Sequence, residues 1–216
     1  MKYFKKLHPY YREAVKMAGA LYLTGIIGLA WLHSIPAAWY ATGPFLLLTG
    51  LLLWVFHENP QRSDLFPVII AYLLGFAVEM VGTNTGWPFG HYNYGKILGP
   101  ALWKTPLLIG FNWFSLTYLI QASLHHFKIN SWLGTTLGAF ILVFYDYLLE
   151  PVAIFSGMWT WHDGQPPLQN YIGWFGLSWV ILALYRVFGF RPINRLAPWI
   201  LLFQTVFFGI LGLTII

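Results

Sequence analysis

The feature that most constrains this chain is a succession of long apolar blocks separated by short polar punctuation. Each block approaches the roughly 20 residues that an α-helix needs to cross a hydrocarbon core about 30 Å thick. In lipid the backbone must satisfy its own hydrogen bonds, so blocks of this kind can only be helices. Charged residues make up 9% of the 216 residues and hydrophobic ones 58%, against about 25% charged in a soluble domain. The expected class is therefore all-α: a polytopic, multi-pass protein of the cell's inner (cytoplasmic) membrane. Seven spans are expected, with cores at 14–32, 36–56, 65–83, 106–125, 132–155, 170–188 and 196–216. Pro36, Pro106 and Pro198 stand where a helix can start, because proline's missing N–H costs nothing in the first turn.

The basic residues orient these spans. With the N-terminus in the cytoplasm, Lys2, Lys5, Lys6, Arg12, Lys16, Arg62, Lys128, Arg186, Arg191 and Arg195 fall inside, and only Lys96 and Lys104 outside. This is a positive-inside bias, and it accounts for the net charge of +5 without nucleic acid as a partner. The N-terminus has the Lys-then-apolar look of a signal peptide, but 38–41 is a poor cleavage site, so a retained first helix is expected. With no internal repeat or linker, residues 1–216 read as one transmembrane helical domain. The absence of cysteine excludes thiolate chemistry.

Two outer segments stand apart, 84–95 (NTGWPFGHYNYG) and 157–164 (GMWTWHDG). Both are rich in aromatics and glycine, as loops folding back over a cavity would be. Three of the seven acidic residues, Glu79, Asp146 and Glu150, fall inside apolar spans, where an ionisable group is costly and usually functional. Glu79 lies roughly 6 Å from the outer end of its helix; Asp146 has risen roughly 21 Å from the inner start of its own. Glu150 follows Asp146 by one turn on the same face. Asn112 and Asn170 reach the same outer layer, so five polar groups from four helices share one depth. Lys16 and Arg186 fall only at the inner ends of their spans, so no Lys or Arg stands at the depth of the carboxyls to pair with them.

Other chemistries fit less well. No His-x-x-x-His or Glu-x-x-His pair marks a metal site, so no metal and no cofactor is expected. A retinal protein needs a lysine in a span, a nucleotide enzyme needs a glycine-rich phosphate loop, and a membrane prenyltransferase needs paired Asp-rich motifs. Gln204 reads as interhelical glue, and His162 as an interfacial loop residue.

The stretch from Glu79-Met80-Val81-Gly82 through Thr85-Gly86-Trp87-Pro88-Phe89-Gly90-His91-Tyr92-Asn93-Tyr94 to Leu98-Gly99-Pro100 resembles a signature of the membrane carotenoid hydratase family. That family includes bacterioruberin-type and myxol-type carotenoid 1,2-hydratases. Asn112-Trp113 resembles its next helix. Asp146 to Ala153, Trp159-Thr160-Trp161 and Asn170 to Phe175 resemble its second signature. The segment 164–169 (GQPPLQ) departs from the family's usual glycine-aromatic pattern before the asparagine.

The resemblance implies addition of water to the terminal C1=C2 double bond of an acyclic, lycopene-like carotenoid. Glu79, Asp146 and Glu150 are then the catalytic candidates. Asn112, Trp113, Trp87, Phe89, His91, Tyr92, Tyr94, Trp159, Trp161, Asn170 and Trp174 are the candidates for holding substrate. Two carboxyls one turn apart in a dry site cannot both ionise cheaply, so one is expected to keep a proton and act as general acid. The partners implied are the lipid bilayer, the carotenoid and other enzymes of its pathway. A lycopene cyclase, or a carotenoid-binding protein without chemistry, remains the alternative.

Overall fold

A computed structural model describes residues 8–32 and 35–215. Lys2, Lys5, Lys6, His33 and Ile216 lie outside them. Among the described residues the chain is all-α apart from short strands. After a 3-10 turn at His8–Tyr10 come α1 (Tyr11–Leu32), α2 (Pro36–Trp39), α3 (Thr42–Val55), α4 (Leu65–Thr85), α5 (Leu107–His126), α6 (Trp132–Ser156), α7 (Leu168–Val187) and α8 (Ala197–Ile215). Strands β1 (Tyr92–Tyr94), β2 (Ala101–Leu102) and β3 (Thr105–Pro106) lie between α4 and α5, and β4 (Trp159–Trp161) lies between α6 and α7. Tyr11–Leu32, Arg62–Thr85, Leu107–His126, Trp132–Ser156 and Ala197–Thr214 are long and apolar enough to cross a membrane. The chain is an all-α polytopic membrane protein.

Six of the seven expected segments coincide with single helices to within three residues at either end. The second does not: 36–56 is broken at Tyr40 and Ala41 into α2 and the 14-residue α3. Pro44 is the cause. Its ring meets the carbonyl four residues back, at Tyr40, so the helix must restart with Pro44 in its first turn. The shortened α3 then packs on α5.

The packing is pairwise: α4 against α5, α6 against α7, and α1 against α8, with α8 also touching α5 and α6. α5 is central, with 13 of its 20 residues buried. It lies close against α4 because Gly75 faces Trp113; a Cβ on Gly75 would stand 2.4 Å from the Trp113 Cβ.

At one end of the bundle the connections are polar. Arg195 Nε meets Glu58 Oε1 at 3.1 Å, and His57 meets Asp64 at 3.5 Å. Asn194 donates to the Leu53 carbonyl and to Tyr118 Oη. At the other end, α4 and α6 both finish on a left-handed glycine, Gly86 (φ 79°) and Gly157 (φ 77°). Glycine takes this conformation without a Cβ penalty, and it turns the chain out of the helix. The two aromatic segments begin here, and they meet as a ribbon: β1 pairs antiparallel with β4, with Tyr92 opposite Trp161 and Tyr94 opposite Trp159. Gly95 N–H and His162 N–H extend the ladder to the Met158 and His91 carbonyls. Gly95 is needed for the approach, since a Cβ there would sit 2.0 Å from the Gly157 oxygen.

Candidate active site

The ribbon explains how two of the three carboxyls, Glu79 and Glu150, are buried with no basic partner among the described residues. Side chains alternate across a strand, so Tyr92 and Tyr94 share one face of β1, as Trp159 and Trp161 share one face of β4. Both faces look down into the bundle, while Asn93 and Thr160 look out. Each strand serves a different carboxyl. Tyr92 Oη and Tyr94 Oη donate to Glu79 Oε2 at 2.5 and 2.7 Å, and Trp113 Nε1 donates to Glu79 Oε1 at 2.8 Å. Trp159 Nε1 and Trp161 Nε1 donate to Glu150 Oε2 at 3.0 and 2.9 Å. The register then sets the two donor sets against each other, the Tyr92 and Trp161 rings tilted at 5.1 Å and the Tyr94 and Trp159 rings edge to face at 6.0 Å.

Asn170, in the first turn of α7, links the remaining pair. Its Nδ2 donates to Asp146 Oδ2 at 2.7 Å and makes a longer 3.4 Å contact with Glu150 Oε1. Glu79, Asp146 and Glu150 are at most 4% exposed. Among the described residues none of the three forms an ion pair. Burial, followed by the nearby Glu79 charge, pushes the Tyr92 and Tyr94 phenols well above the usual tyrosine range, so both remain protonated donors. Glu79 meets donors on both oxygens, the pattern that suits an ionised carboxylate. Asp146 differs: its buried Oδ1 has no hydrogen-bond partner among the described residues.

These groups surround one narrow cavity. Glu79, Asp146 and Glu150 line it, with Asn112 and Asn170 beside them. The ribbon contributes Tyr92, Tyr94, Trp159 and Trp161, and Phe89, Trp113 and Trp174 form an aromatic wall. Phe89 stacks on Trp113 at 6.5 Å, and Trp113 lies 4.4 Å from Trp174, centroid to centroid. The cavity's free space is about 30 Å³, room for two or three waters at roughly 10–15 Å³ each. Twelve of the fourteen residues singled out from the sequence therefore come together here.

Trp87 and His91 do not. Trp87 is 68% exposed, and His91, also exposed, packs its ring over Gly86. Both precede the strand, on the turn that follows α4, so the ribbon's alternation does not aim them inward. His162 is exposed as well, paired with Asp163 at 2.9 Å. One lining residue went unrecognised in the sequence, Ile109. Its position three and four residues before Asn112 and Trp113, on the same helical face, is the signal that could have found it. Among the described residues no group of three or more His, Asp or Glu side chains is arranged to hold a metal ion. The carboxyl oxygens here face phenol, indole and amide donors instead.

The sequence profile of the family described as carotenoid biosynthesis protein matches residues 43–215, which contain every residue of this cavity. The bisanhydrobacterioruberin hydratase of Haloarcula japonica is 34% identical over 158 residues, covering 68% of this chain and 53% of that protein. The chain thus matches about half the length of that curated relative. No solved structure gives a significant match. With a matched region that spans α3 to α8 and the whole carboxyl cavity, the chain belongs to the carotenoid biosynthesis protein family.

Proposed function

We propose that this protein is a carotenoid hydratase of the cytoplasmic membrane. In this reading it adds water to the terminal C1=C2 double bond of an acyclic carotenoid. The observation that carries the proposal is the asymmetry among three buried carboxyls around a water-sized cavity: Asp146 Oδ1 is unpartnered while Glu79 is saturated by donors. The name of the Haloarcula japonica relative supports the reaction class.

Asp146 is the general acid. Its Oδ2 is held by Asn170, which leaves Oδ1 to carry the proton. Transfer of that proton to C2 forms the C2–H bond from the alkene's electron pair and leaves a tertiary cation at C1. The faces of Phe89, Trp113 and Trp174 attract that cation, and the Glu79 carboxylate adds a fixed negative field. Water attacks C1 and gives up a proton to Glu150, whose Oε1 has only the long contact to Asn170. Return of that proton through water to Asp146, one turn away, restores the site. Alkene plus water gives tertiary alcohol, with no change in oxidation level and no redox cofactor. Room for water beside the acid favours hydration over ring closure, which must keep water from the same cation.

The bilayer orientation follows from charge. Among the described residues Arg12, Lys16, Arg62, Lys128, Arg186, Arg191 and Arg195 lie towards the end opposite the ribbon, whereas Lys96 and Lys104 lie on the ribbon side. Counting α3, which is short, and α7, made less apolar by its polar residues, beside the five long apolar helices gives seven spans, and this charge bias supports a ribbon and cavity in the outer half.

The test is expression in a lycopene-producing bacterium, with products analysed by mass. Hydration adds 18 mass units and takes ¹⁸O from labelled water at the tertiary carbon. A product isomeric with lycopene would mean cyclisation. Unchanged lycopene beside well-folded protein in the membrane would favour binding without chemistry, or a substrate that this host does not make.

A further inference from the structure

The carboxyl cavity, with room for only a few waters, is far too small for a carotenoid, so the body of the molecule must lie elsewhere. A second cavity of about 30 Å³ adjoins the first and shares Ile109, Asn112 and Trp159 with it. On its far side it shares Thr42, Leu46, Met158 and Phe208 with a groove of about 450 Å³ between α1, α3 and α8. The three spaces thus lie in series through shared walls, with Met158 and Phe208 at the junction between the second cavity and the groove. The groove is roofed by Trp39 and walled by Tyr22, Phe45 and Phe207. No charged residue is among those that line it. It runs along α1 from Leu29 to Leu21, eight residues or roughly 12 Å. On its lipid side Leu21 and Leu48 are 43% and 41% exposed.

We propose that this groove binds the polyene body of the carotenoid, entering sideways from the bilayer, with the neck at Met158 guiding one end group to Asp146. The reacting end's position rests on the hydratase reading; the groove's occupancy does not. A lipid acyl chain is the competing occupant of apolar space. Neither the groove nor the neck offers a Lys or Arg to a phosphate headgroup, and the path leads to three carboxyls that would repel one. A hydrocarbon with no headgroup fits both ends. Met158 suits the neck, because an unbranched thioether side chain can change rotamer to let a rod pass. Of two other grooves, one has Lys96 on its rim and shares no lining residue with the carboxyl cavity, and the other reaches Glu150 but is lined also by Gln165.

The experiment uses the full chain in phosphatidylcholine nanodiscs, titrated with lycopene and read by visible circular dichroism. Lycopene is achiral and gives this signal only when held in a chiral site. Leu48→Trp and Thr24→Trp each fill the groove from its lipid-exposed wall, so neither demands repacking of the core. Each is expected to raise the half-saturation concentration on the order of tenfold, the effect of excluding about two buried methylenes. Leu73→Trp, on the lipid face of α4, is expected to leave binding unchanged. Glu150→Gln is expected to bind lycopene while losing turnover.

An induced signal that is absent in the native protein, or unaltered in both groove variants, overturns the proposal. Equal loss in Leu73→Trp overturns it too. Loss of the signal in the groove variants alone supports the groove even where no water is added, which would refute only the hydratase reading. Water addition with binding untouched by the groove variants refutes only the groove.

Discussion

Replacing Asp146 by asparagine isolates the proton from everything else in the site. In the native arrangement Asp146 Oδ2 accepts from Asn170 Nδ2 at 2.7 Å, and Oδ1 meets no partner. An asparagine side chain is nearly the same size. Its oxygen keeps the Asn170 bond, and its amide takes the place of Oδ1. The fold therefore changes by about 1 kcal/mol or less, the scale of one ordinary hydrogen bond. The reaction loses its acid. A positioned acid is typically worth about 10²–10⁴ in rate, or about 3–5 kcal/mol of barrier. Asp146→Asn is thus expected to cut turnover by at least about a hundredfold while folding and lycopene binding persist. The assay is hydrated product per unit of membrane-inserted protein, by chromatography and mass, beside thermal unfolding in detergent. If the variant keeps more than about a tenth of native turnover, Asp146 is not the acid and the argument from its unpartnered oxygen fails. Loss in Glu150→Gln alone would move the role one turn along α6.

Trp161→Phe keeps an aromatic face but loses the indole N–H that donates to Glu150 at 2.9 Å; loss of a hydrogen bond to a charged group is expected to lower turnover on the order of tenfold, and the smaller ring at this buried position is expected to lower the melting temperature as well. Gly95→Ala puts a methyl against the Gly157 oxygen, so the ribbon must open. An overpacking cost of about 1–3 kcal/mol is expected as a lower melting temperature, together with reduced turnover; a variant as stable as the native protein would refute the account of the ribbon. Reporter fusions after Trp103 and after His162 are expected to read as external and one after Lys128 as cytoplasmic, the reverse result inverting the proposed orientation.

What could be read from the amino-acid order is what depends on position along one axis. Apolar blocks of bilayer length gave helices, because lipid leaves the backbone no other partner. Counting 1.5 Å per residue gave depth, and depth alone brought Glu79, Asn112, Asp146, Glu150 and Asn170 into one layer. The break at Tyr40 was also within reach, through Pro44, but the apolar run hid it. What lay beyond the sequence concerns rotation about the helix axes and pairing between distant segments. Whether the five polar groups face one another depends on how α4, α5, α6 and α7 pack, which is fixed by close approaches such as Gly75 on Trp113. The alternation in Tyr-Asn-Tyr and Trp-Thr-Trp hinted at strands, yet a three-residue strand has no stability alone. Only the antiparallel register of β1 on β4 decides that tyrosines serve Glu79 and that tryptophans serve Glu150, and only the turn after α4 leaves Trp87 and His91 outside. The difference between Asp146 and its two neighbours is likewise tertiary, because the number of donors reaching a buried carboxyl is set by side chains from other elements and not by its own.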